Sequence, residues 1–463
     1  MAEIGNLTYD EITVGQEASE QRVLTEMDIA LFAAMSGDVN PAHLDPSYAR
    51  ETPFHEVIAH GMWGGSLISA LLGTKLPGPG TIYVSQNLSF LAPVKIGDAV
   101  TVTVRVTQKA AHGRVHLDCL CRNQDGDTVI EGQAVVIAPR EKIRTRLPER
   151  PRAMIVERGE RLLALIEEAR SQPPLRVAVV HPVDAVSLEG MAGAVEEGLI
   201  DPVLVGPRHK IESAARLAGI DISSFEIVDT PHSHGAAERA VALAREDRVD
   251  ALMKGALHTD EILSAVVCRE TGLRTERRIS HVFVMDTPAY EKLLFITDAA
   301  INITPGLEDK KDILQNAIDL CHALKIMEPK AAILAAVETV SSHLSSTLDA
   351  AALCKMSDRG QITGAIVDGP LAFDNAISAE AARLKNIDSP VAGCADILLV
   401  PNLEAGNMLA KQLDYLAGAV AAGIVLGAGV PIILTSRAEG RLPRVAASAV
   451  ANLFHHHRRA AKP

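Results

Sequence analysis

The sequence predicts an α+β domain followed by a larger α/β domain built on a parallel sheet. The chain has 463 residues, which is too long for one ordinary hydrophobic core. Alternating apolar residues in stretches such as Val100 to Val106 are typical of antiparallel strands, and an apolar helical pattern precedes them. From Leu175 onward, short apolar runs alternate with helical patterns, which is typical of a parallel sheet covered on both faces.

The first predicted helix ends in a polar loop, residues 36–43. The helix begins after Thr25, which forms a capping-box pattern with Asp28. Gly37 is a common helix stop, and Pro41 prevents continuation of the helix. A rigid element therefore holds the loop.

Asp38 and His43 lie in this loop, with Asn40 between them. A loop on a rigid scaffold can hold a carboxylate and an imidazole in one orientation, which suits acid–base catalysis. Alternatively, Asp38 and Asn40 only form hydrogen bonds within the turn, and His43 caps them. The loop alone leaves both interpretations open.

A second helix is predicted from His60 through Leu72. It opens with Gly61, and a glycine at a helix start leaves a backbone N–H free to meet an oxyanion. The strands that follow turn at His112-Gly113 and Asp125-Gly126, which predicts hairpins. The pattern is that of a sheet wrapped on a central helix.

Residues 1–140 resemble the MaoC-like (R)-specific enoyl-CoA hydratases of the hot-dog superfamily. The matching motifs are Gly37-Asp38-x-Asn40-Pro41-x-His43, His60-Gly61-Met62 and Ser89-Phe90-x-x-Pro93-Val94-x-x-Gly97-Asp98. The resemblance implies that Asp38 and His43 activate the water that adds to a trans-2-enoyl-CoA. It also implies that the Gly61 N–H holds the thioester oxygen and that Asn40 orients the pair. Ser69 either touches the thioester or only packs within its helix.

Polar residues or glycines follow five predicted strands of the second domain. These strands and their ends are Asp250–Met253 with Lys254-Gly255, Leu293–Thr297 with Asp298, Ile362–Val367 with Asp368, Ile397–Val400 with Asn402, and Ile432–Thr435 with Ser436-Arg437. Ligands bind at the carboxyl edge of open parallel sheets, so the five ends together predict a cleft for a large polar ligand. Taken singly, Asp298 and Asp368 are better explained as helix caps. No G-x-G-x-x-G follows the first strand, which argues against dinucleotide binding.

Residues 175–463 resemble the phosphate acetyltransferase and phosphate butyryltransferase family. The matching motifs are Met253-Lys254-Gly255, Arg278-x-Ser280-His281, Asp298-x-x-x-Asn302, Asp368-Gly369-Pro370-Leu371, Pro401-Asn402-x-Glu404-x-Gly406-Asn407 and Thr435-Ser436-Arg437-Ala438. The resemblance implies two lobes around a cleft and reversible acyl transfer between coenzyme A and phosphate. It assigns Ser436 to the sulfur and Arg437 to phosphate and the carbonyl oxygen. The substrate-binding residues that it implies are Lys254, Arg278, Asp298, Asp368, Asn402, Glu404 and Asn407.

One position departs from the acetyl-transferring members of that family. Many of them carry an aspartate about one turn past the Ser-Arg pair, as a proposed base for the thiol. Pro443 occupies that place here, and Glu439 is the nearest carboxylate. The identity of the base is therefore open, and the pattern leans toward the butyryltransferase branch.

The stretch between the two domains, residues 141–174, is predicted to be a linker and a lead-in helix. Its first part is rich in arginine and interrupted by Pro148 and Pro151, and a helix is predicted from Ile155 to Arg170. Near the other end of the chain, His455-His456-His457 is not expected to bind a metal, because adjacent residues of a helix point in different directions.

Composition excludes several classes of function. The formal net charge of -13 and the 3% of aromatic residues argue against nucleic-acid binding. The apolar stretch from Leu416 to Leu434 is broken by glycines and Pro431, so it predicts a buried helix and strand rather than a membrane span. The six cysteines form no CxxC pair and no basic, apolar leader opens the sequence, so we expect reduced, buried thiols in a cytoplasmic protein.

The combined interpretation is a bifunctional enzyme acting on coenzyme A thioesters, with acyl-CoA, coenzyme A, phosphate and acyl phosphate as its small-molecule partners. Neither resemblance implies a metal or a permanently bound cofactor, and both imply a homo-oligomer. The alternative is that one half is catalytic and the other only senses acyl-CoA or assists assembly. Retention of Ser436 and Arg437 argues against a pure sensor, whereas Pro443 argues mildly for one.

Overall fold

The computed structural model describes residues 3–146, 158–434 and 440–460. Residue contacts divide the chain into two units, Met1–Val156 and Glu157–Pro463. The predicted lead-in helix lies in the second unit. It runs over Glu160–Ala169, after a left-handed Gly159, whereas the sequence pattern placed its start at Ile155, which lies outside the described residues.

The first unit wraps an antiparallel sheet around one long helix. Its strands are β1 (Glu3–Gly5), β2 (Glu17–Val23), β3 (Ile82–Phe90), β4 (Ala99–Lys109), β5 (Arg114–Arg122), β6 (Thr128–Ile137) and β7 (Arg144–Arg146). Its helices are α1 (Glu26–Ser36), α2 (Pro41–Leu44), α3 (Pro46–Glu51) and α4 (Gly61–Thr74). The five-stranded sheet has the order β2-β4-β5-β6-β3, and β1 pairs separately with β7. The predicted α+β hot-dog arrangement is confirmed.

Helix α4 is the centre of this unit because its apolar face fills the concave side of the sheet. Ile68, Leu71 and Leu72 are fully buried, and each contributes about 1.5–3 kcal/mol relative to an exposed position. Gly64 allows the close approach: a Cβ there would lie 2.3 Å from Ile130 Cδ1 on β6. The sheet therefore packs directly on the helix backbone.

The second unit contains eleven strands and eleven helices within the described ranges. The strands are β8 (Leu175–Val180), β9 (Ile200–Gly206), β10 (Glu226–Asp229), β11 (Ala251–Lys254), β12 (Ser280–Asp286), β13 (Leu294–Thr297), β14 (Lys330–Leu334), β15 (Ile366–Leu371), β16 (Ile397–Leu399), β17 (Val420–Leu426) and β18 (Ile432–Ile433). The helices are α5 (Glu160–Ala169), α6 (Ala185–Glu196), α7 (Arg208–Ala218), α8 (Ser233–Arg245), α9 (Thr259–Val267), α10 (Leu307–Ala323), α11 (Ser345–Asp358), α12 (Phe373–Ile377), α13 (Ala379–Leu384), α14 (Leu403–Ala417) and α15 (Arg441–Ala460).

These strands form one mostly parallel sheet that reverses direction near its middle. The order is β10-β9-β8-β11-β18-β17-β12-β13-β16-β14-β15. Strand β17 is antiparallel to both β18 and β12, and β12 is antiparallel to β13, whereas the other pairs are parallel. Strands β11 and β18 therefore end at one edge of the sheet, and β13 and β16 end at the opposite edge.

This reversal corrects the predicted cleft, which placed five strand ends at one carboxyl edge. Alternating strands and helices predict a parallel sheet, but the direction of each strand is not visible in that pattern. Asp368 also lies inside β15, which begins at Ile366 rather than Ile362, so it does not follow a strand end.

The two faces of the large sheet pack differently. One face carries a single apolar core that includes residues of strands from β8 to β18 and of α5, α10 and α15. The other face carries two separate cores, one with α8 and α9 and one with α12 and α14. These separate cores match the expected two lobes, and strands β12 and β17 lie between them.

His281 lies on that second face, where β12 and β17 meet. Its side chain is fully buried, and burial lowers the pKa of its imidazole to about 3. Neither ring nitrogen has a hydrogen-bond partner among the described residues. Gly423 on β17 leaves room for the ring, since a Cβ there would lie 3.0 Å from His281 Nε2.

The C-terminal histidines, the cysteines and the apolar stretches can also be compared with the predictions. The three C-terminal histidines lie on α15 and diverge as predicted: His455 faces Asp250, His456 contacts the carbonyl oxygen of Pro173, and His457 lines another surface. All six cysteines are free, as predicted, but only three are buried: Cys354 and Cys394 are partly buried, and Cys268, at the end of α9, is exposed. No helix in the described ranges is both long and apolar enough to cross a bilayer.

Burial of His281 makes the second unit sensitive to acid. The folded-state pKa of about 3 lies below the ordinary 6.5, so the unfolded state binds the proton first as the pH falls. The free energy of unfolding of the second unit keeps its full value above pH 6.5. Below that pH it falls by about 1.4 kcal/mol per pH unit, or by about 3 kcal/mol in total at pH 4. We expect His281→Leu to remove this loss, as measured by urea unfolding followed by circular dichroism.

A matched control is His209→Leu, which removes an exposed histidine from α7 of the same unit. Fluorescence of Trp63, the one tryptophan of the chain, reports the first unit and should not change in either variant. Equal acid sensitivity in His281→Leu and the wild-type chain would contradict the assignment.

Candidate functional site

The loop after α1 holds Asp38 by main-chain hydrogen bonds. Its N–H donates to Ser36 Oγ at 3.2 Å, and the N–H of Asn40 donates to Asp38 Oδ1 at 3.2 Å. The Asn40 side chain caps α2, since Asn40 Oδ1 accepts from the Ala42 N–H at 3.1 Å. Asn40 therefore orients the Asp38 carboxylate through its backbone rather than its amide.

His43 lies on α2, and its ring is fixed in one tautomer. Nδ1 lies 2.8 Å from the carbonyl oxygen of Ile58. Because a carbonyl oxygen can only accept, Nδ1 carries the hydrogen, and Nε2 of the neutral ring keeps a lone pair. His43 is thus arranged as a proton acceptor beside Asp38.

His60 joins this pair in the folded chain. Ligand-type atoms of Asp38, His43 and His60 all lie within 4.8 Å of one another. The motif His60-Gly61-Met62 contained His60, but sequence reasoning assigned it no role. One carboxylate and two imidazoles could also hold a metal ion, although His43 Nδ1 and His60 Nε2 are already engaged with carbonyl oxygens.

Gly61 opens α4 at the wall of a cavity of about 290 Å³. The first N–H groups of a helix have no partner within the helix, so the Gly61 amide is placed to meet an anion. A Cβ at this position would lie 3.0 Å from Phe90 Cε1, so a larger residue would crowd the cavity. The side chains that line the cavity are mostly apolar and include His43, Phe54, Ile58, His60, Trp63, Phe90 and Ile130.

Ser69 is separate from this cavity. It lies two turns beyond Gly61 on the exposed side of α4, and the residues that line the cavity do not include it. Within the first unit, Ser69 therefore neither lines this cavity nor packs in the core, and its contact with the thioester stays a prediction.

In the second unit, Arg278 lies at the edge of the sheet where β13 ends. Arg278 Nε donates to Asn302 Oδ1 at 2.7 Å, and its Nη1 lies 3.6 Å from Asp309 Oδ1. Its guanidinium side chain is about half exposed and lines an open cleft of about 580 Å³. The same cleft is lined by three more cations and by four carboxylates, so its formal charge is balanced: Arg274, Arg277, Lys311, Glu276, Glu308, Asp309 and Asp312.

Asp298 braces the loop beside Arg278. Its carboxylate accepts from the N–H groups of Ala300 and Ile301 at 2.9 and 3.0 Å and from Asn302 Nδ2 at 2.5 Å. Burial raises the pKa of this carboxyl, and these hydrogen bonds oppose the rise. The carboxylate is occupied by its own loop, and the predicted helix cap is wrong, because the next helix, α10, begins only at Leu307 with Gly306 as its N-cap.

The Asn402–Asn407 segment packs against that same loop. Asn402 Oδ1 caps α14 by accepting from the Ala405 N–H at 2.9 Å, and Glu404 lies in the first turn of the helix. Asn407 Nδ2 donates to the carbonyl oxygen of Ala299 at 3.2 Å. Arg278, Asp298, Asn402 and Asn407 are thus brought together at one edge of the sheet.

The remaining predicted residues lie elsewhere or outside the described chain. Lys254 ends β11 at the opposite edge and is buried, with its Nζ 3.5 Å from the Gly255 carbonyl oxygen. Asp368 lies within β15, where Oδ1 accepts from the Gly369 N–H at 2.8 Å. Ser436 and Arg437 fall in residues 435–439, outside the described residues.

Comparisons with known proteins match both parts of the chain. The family model "Phosphate acetyl/butaryl transferase" matches residues 233–451, and the model "MaoC like domain" matches residues 10–118. A phosphate acetyltransferase of Rhizobium meliloti is 60% identical over 298 residues, which cover 64% of this chain and 94% of that protein.

Two solved structures are also similar. A branched-chain phosphotransacylase from Enterococcus faecalis is 27% identical with a TM-score of 0.55, covering 61% of this chain and 99% of that one. The unliganded R-hydratase PhaJ1 from Pseudomonas aeruginosa is 47% identical with a TM-score of 0.33, covering 33% of this chain and 99% of that one. The chain therefore belongs to the phosphate acetyl/butyryltransferase family and carries a MaoC-like hot-dog domain before its transferase domain.

Proposed function

We propose that the chain is a bifunctional coenzyme A thioester enzyme, which hydrates trans-2-enoyl-CoA in its first unit and transfers an acyl group between coenzyme A and phosphate in its second. The hydratase assignment is carried by His43 and Gly61, which line one mostly apolar cavity, together with the Asp38 carboxylate, which lies within 4.8 Å of a ring nitrogen of His43. Membership of the transferase family carries the second assignment.

In the proposed hydration, a water molecule lies between the Asp38 carboxylate and His43 Nε2. The water gives a proton to Nε2 as its oxygen bonds to the β-carbon of the enoyl group, and the thioester oxygen gains negative charge. The Gly61 N–H stabilises that charge, and the α-carbon then takes the proton from His43. The net result is one water added, with the protein groups returned to their first state.

In the proposed transfer, a phosphate oxygen attacks the thioester carbonyl, and coenzyme A leaves as a thiolate. Cations are needed for the phosphate and for the tetrahedral oxyanion, and a donor is needed for the sulfur. We assign these roles to Arg437 and Ser436 respectively. Arg278 is assigned to a phosphate of coenzyme A or to the phosphate substrate, since a half-exposed guanidinium suits paired hydrogen bonds.

The acyl group is proposed to be acetyl. Proline in place of aspartate at position 443 favoured butyryl transfer. The 60% identical relative, however, is a phosphate acetyltransferase. Pro443 lies in the first turn of α15, where proline is tolerated because its missing N–H has no helical partner there. The position thus continues the helix without supplying a base.

Self-association is proposed through β3. This strand lies at the edge of its sheet and pairs only with β6 in the described chain. Ile82, Val84 and Phe90 on it are exposed, and an exposed apolar edge strand is a surface that another copy can pair with. Sedimentation of the full chain tests this proposal, and a single-chain mass would contradict it.

Asp38→Asn tests the hydratase assignment. The substitution keeps the shape of the side chain but removes its charge, so crotonyl-CoA hydration should fall by about 10²–10⁴-fold. Arsenolysis of acetyl phosphate, which depends on coenzyme A and the second unit, should not change. The matched control is Asp10→Asn, an exposed aspartate of the same unit. Loss of both activities in Asp38→Asn would refute independent sites.

Ser436→Ala and Arg437→Ala separate catalysis from sensing. Each should lower coenzyme A-dependent arsenolysis by at least about tenfold. Ser436→Ala removes the donor to the sulfur, and Arg437→Ala removes the cation at the oxyanion. Crotonyl-CoA hydration should not change. Arg359→Ala, at an exposed helix end, is the control. Wild-type arsenolysis in both variants would favour a non-catalytic acyl-CoA-sensing module.

A further inference from the structure

His60 makes contact with each part of the proposed hydratase site. Its Nε2 lies 3.0 Å from the backbone carbonyl oxygen of Asp38. Since that oxygen can only accept, Nε2 carries the hydrogen and donates it. The ring is 3% exposed, and Nδ1 is buried without a hydrogen-bond partner among the described residues. The Nε2 edge of the ring is therefore fixed by a hydrogen bond, while Nδ1 has no hydrogen-bond partner in the described part of the chain.

The faces of the His60 ring are also in contact. The His43 ring lies at a centroid distance of 4.0 Å with 33° between the planes, and the Phe32 ring lies at 4.9 Å with 32°. His43 is thus held at two places, by its Nδ1 hydrogen bond to Ile58 and by its contact with His60. The two contacts restrict both the position and the plane of the proposed base.

The backbone of His60 begins the helix that carries Gly61. His60 is the N-cap residue of α4, and its carbonyl oxygen accepts from the Trp63 N–H at 2.9 Å. A displacement of His60 would therefore move the Gly61 amide as well. One residue connects the carboxylate loop, the imidazole and the oxyanion donor.

We propose that His60 is a positioning residue, whose imidazole holds the Asp38 main chain, sets the plane of the His43 ring and fixes the Gly61 N–H. This inference rests on the proposed hydratase function.

An apolar residue at position 60 would leave the Asp38 carbonyl oxygen without its donor and would free the His43 ring to turn. Small displacements of catalytic groups typically cost about 10²-fold in rate. Substrate binding depends on the coenzyme A moiety and on the whole cavity wall, in which His60 is one of fourteen lining residues. The effect should therefore fall on kcat and not on KM.

The test compares His60→Leu with His60→Gln in the full chain, using crotonyl-CoA. Gln carries an N–H near the position of Nε2 and can donate to the Asp38 carbonyl oxygen. We expect kcat of His60→Leu to fall about 100-fold with KM within about threefold, and His60→Gln to recover at least about tenfold of the loss. Equal loss in both variants, or a loss expressed in KM, would overturn the proposal.

Two further measurements separate the possible failures. Arsenolysis of acetyl phosphate and the Trp63 fluorescence of the first unit should match the wild-type chain in both variants, so a folding defect is recognised directly. If the wild-type chain hydrates crotonyl-CoA and Asp38→Asn does not, but His60→Leu is fully active, the positioning role fails alone. If the wild-type chain does not hydrate crotonyl-CoA, the proposed hydratase function fails, and this inference fails with it.

Discussion

The hydrogen bond from His43 Nδ1 to the carbonyl oxygen of Ile58 is the constraint on which the N-terminal site depends, because it leaves Nε2 as the free acceptor. The segment that carries this carbonyl is held by the connection between β3 and β4: the Ala59 N–H donates to the Val94 oxygen at 2.8 Å, and Ile58 forms an isolated β-bridge with Lys95. The third sequence motif, around Pro93 to Asp98, therefore holds the segment whose carbonyl oxygen accepts the hydrogen bond from His43.

In the transferase unit, the comparable constraint is the reversal of the sheet at β12 and β17. It places Arg278 and the loop from Asp298 to Asn302 beside α14, while Lys254 lies at the other edge. The same two strands separate the two cores on one face, and His281 and Gly423 lie there. Substrate contacts assigned from strand ends must therefore be divided between two edges rather than collected at one.

Much of this was predictable from the sequence, because local patterns carry it. The capping box at Thr25 and Asp28, the start of α4 at Gly61 and both hairpin turns match the structure. Strand direction was not predictable, since it depends on which strands pair, and so the single cleft and the place of Asp368 were wrong. The positioning role proposed for His60 was not predicted, because it rests on three tertiary contacts, none of which is visible in sequence spacing.

The account joins two separate chemistries on one chain through a shared carrier, coenzyme A. One measurement tests water addition in the first unit directly. The purified chain is incubated with crotonyl-CoA in oxygen-18 water, and the products are analysed by mass spectrometry. The account predicts 3-hydroxybutyryl-CoA carrying one heavy oxygen atom. Unlabelled crotonyl-CoA recovered whole, in a sample whose acetyl transfer to phosphate proceeds, would contradict it.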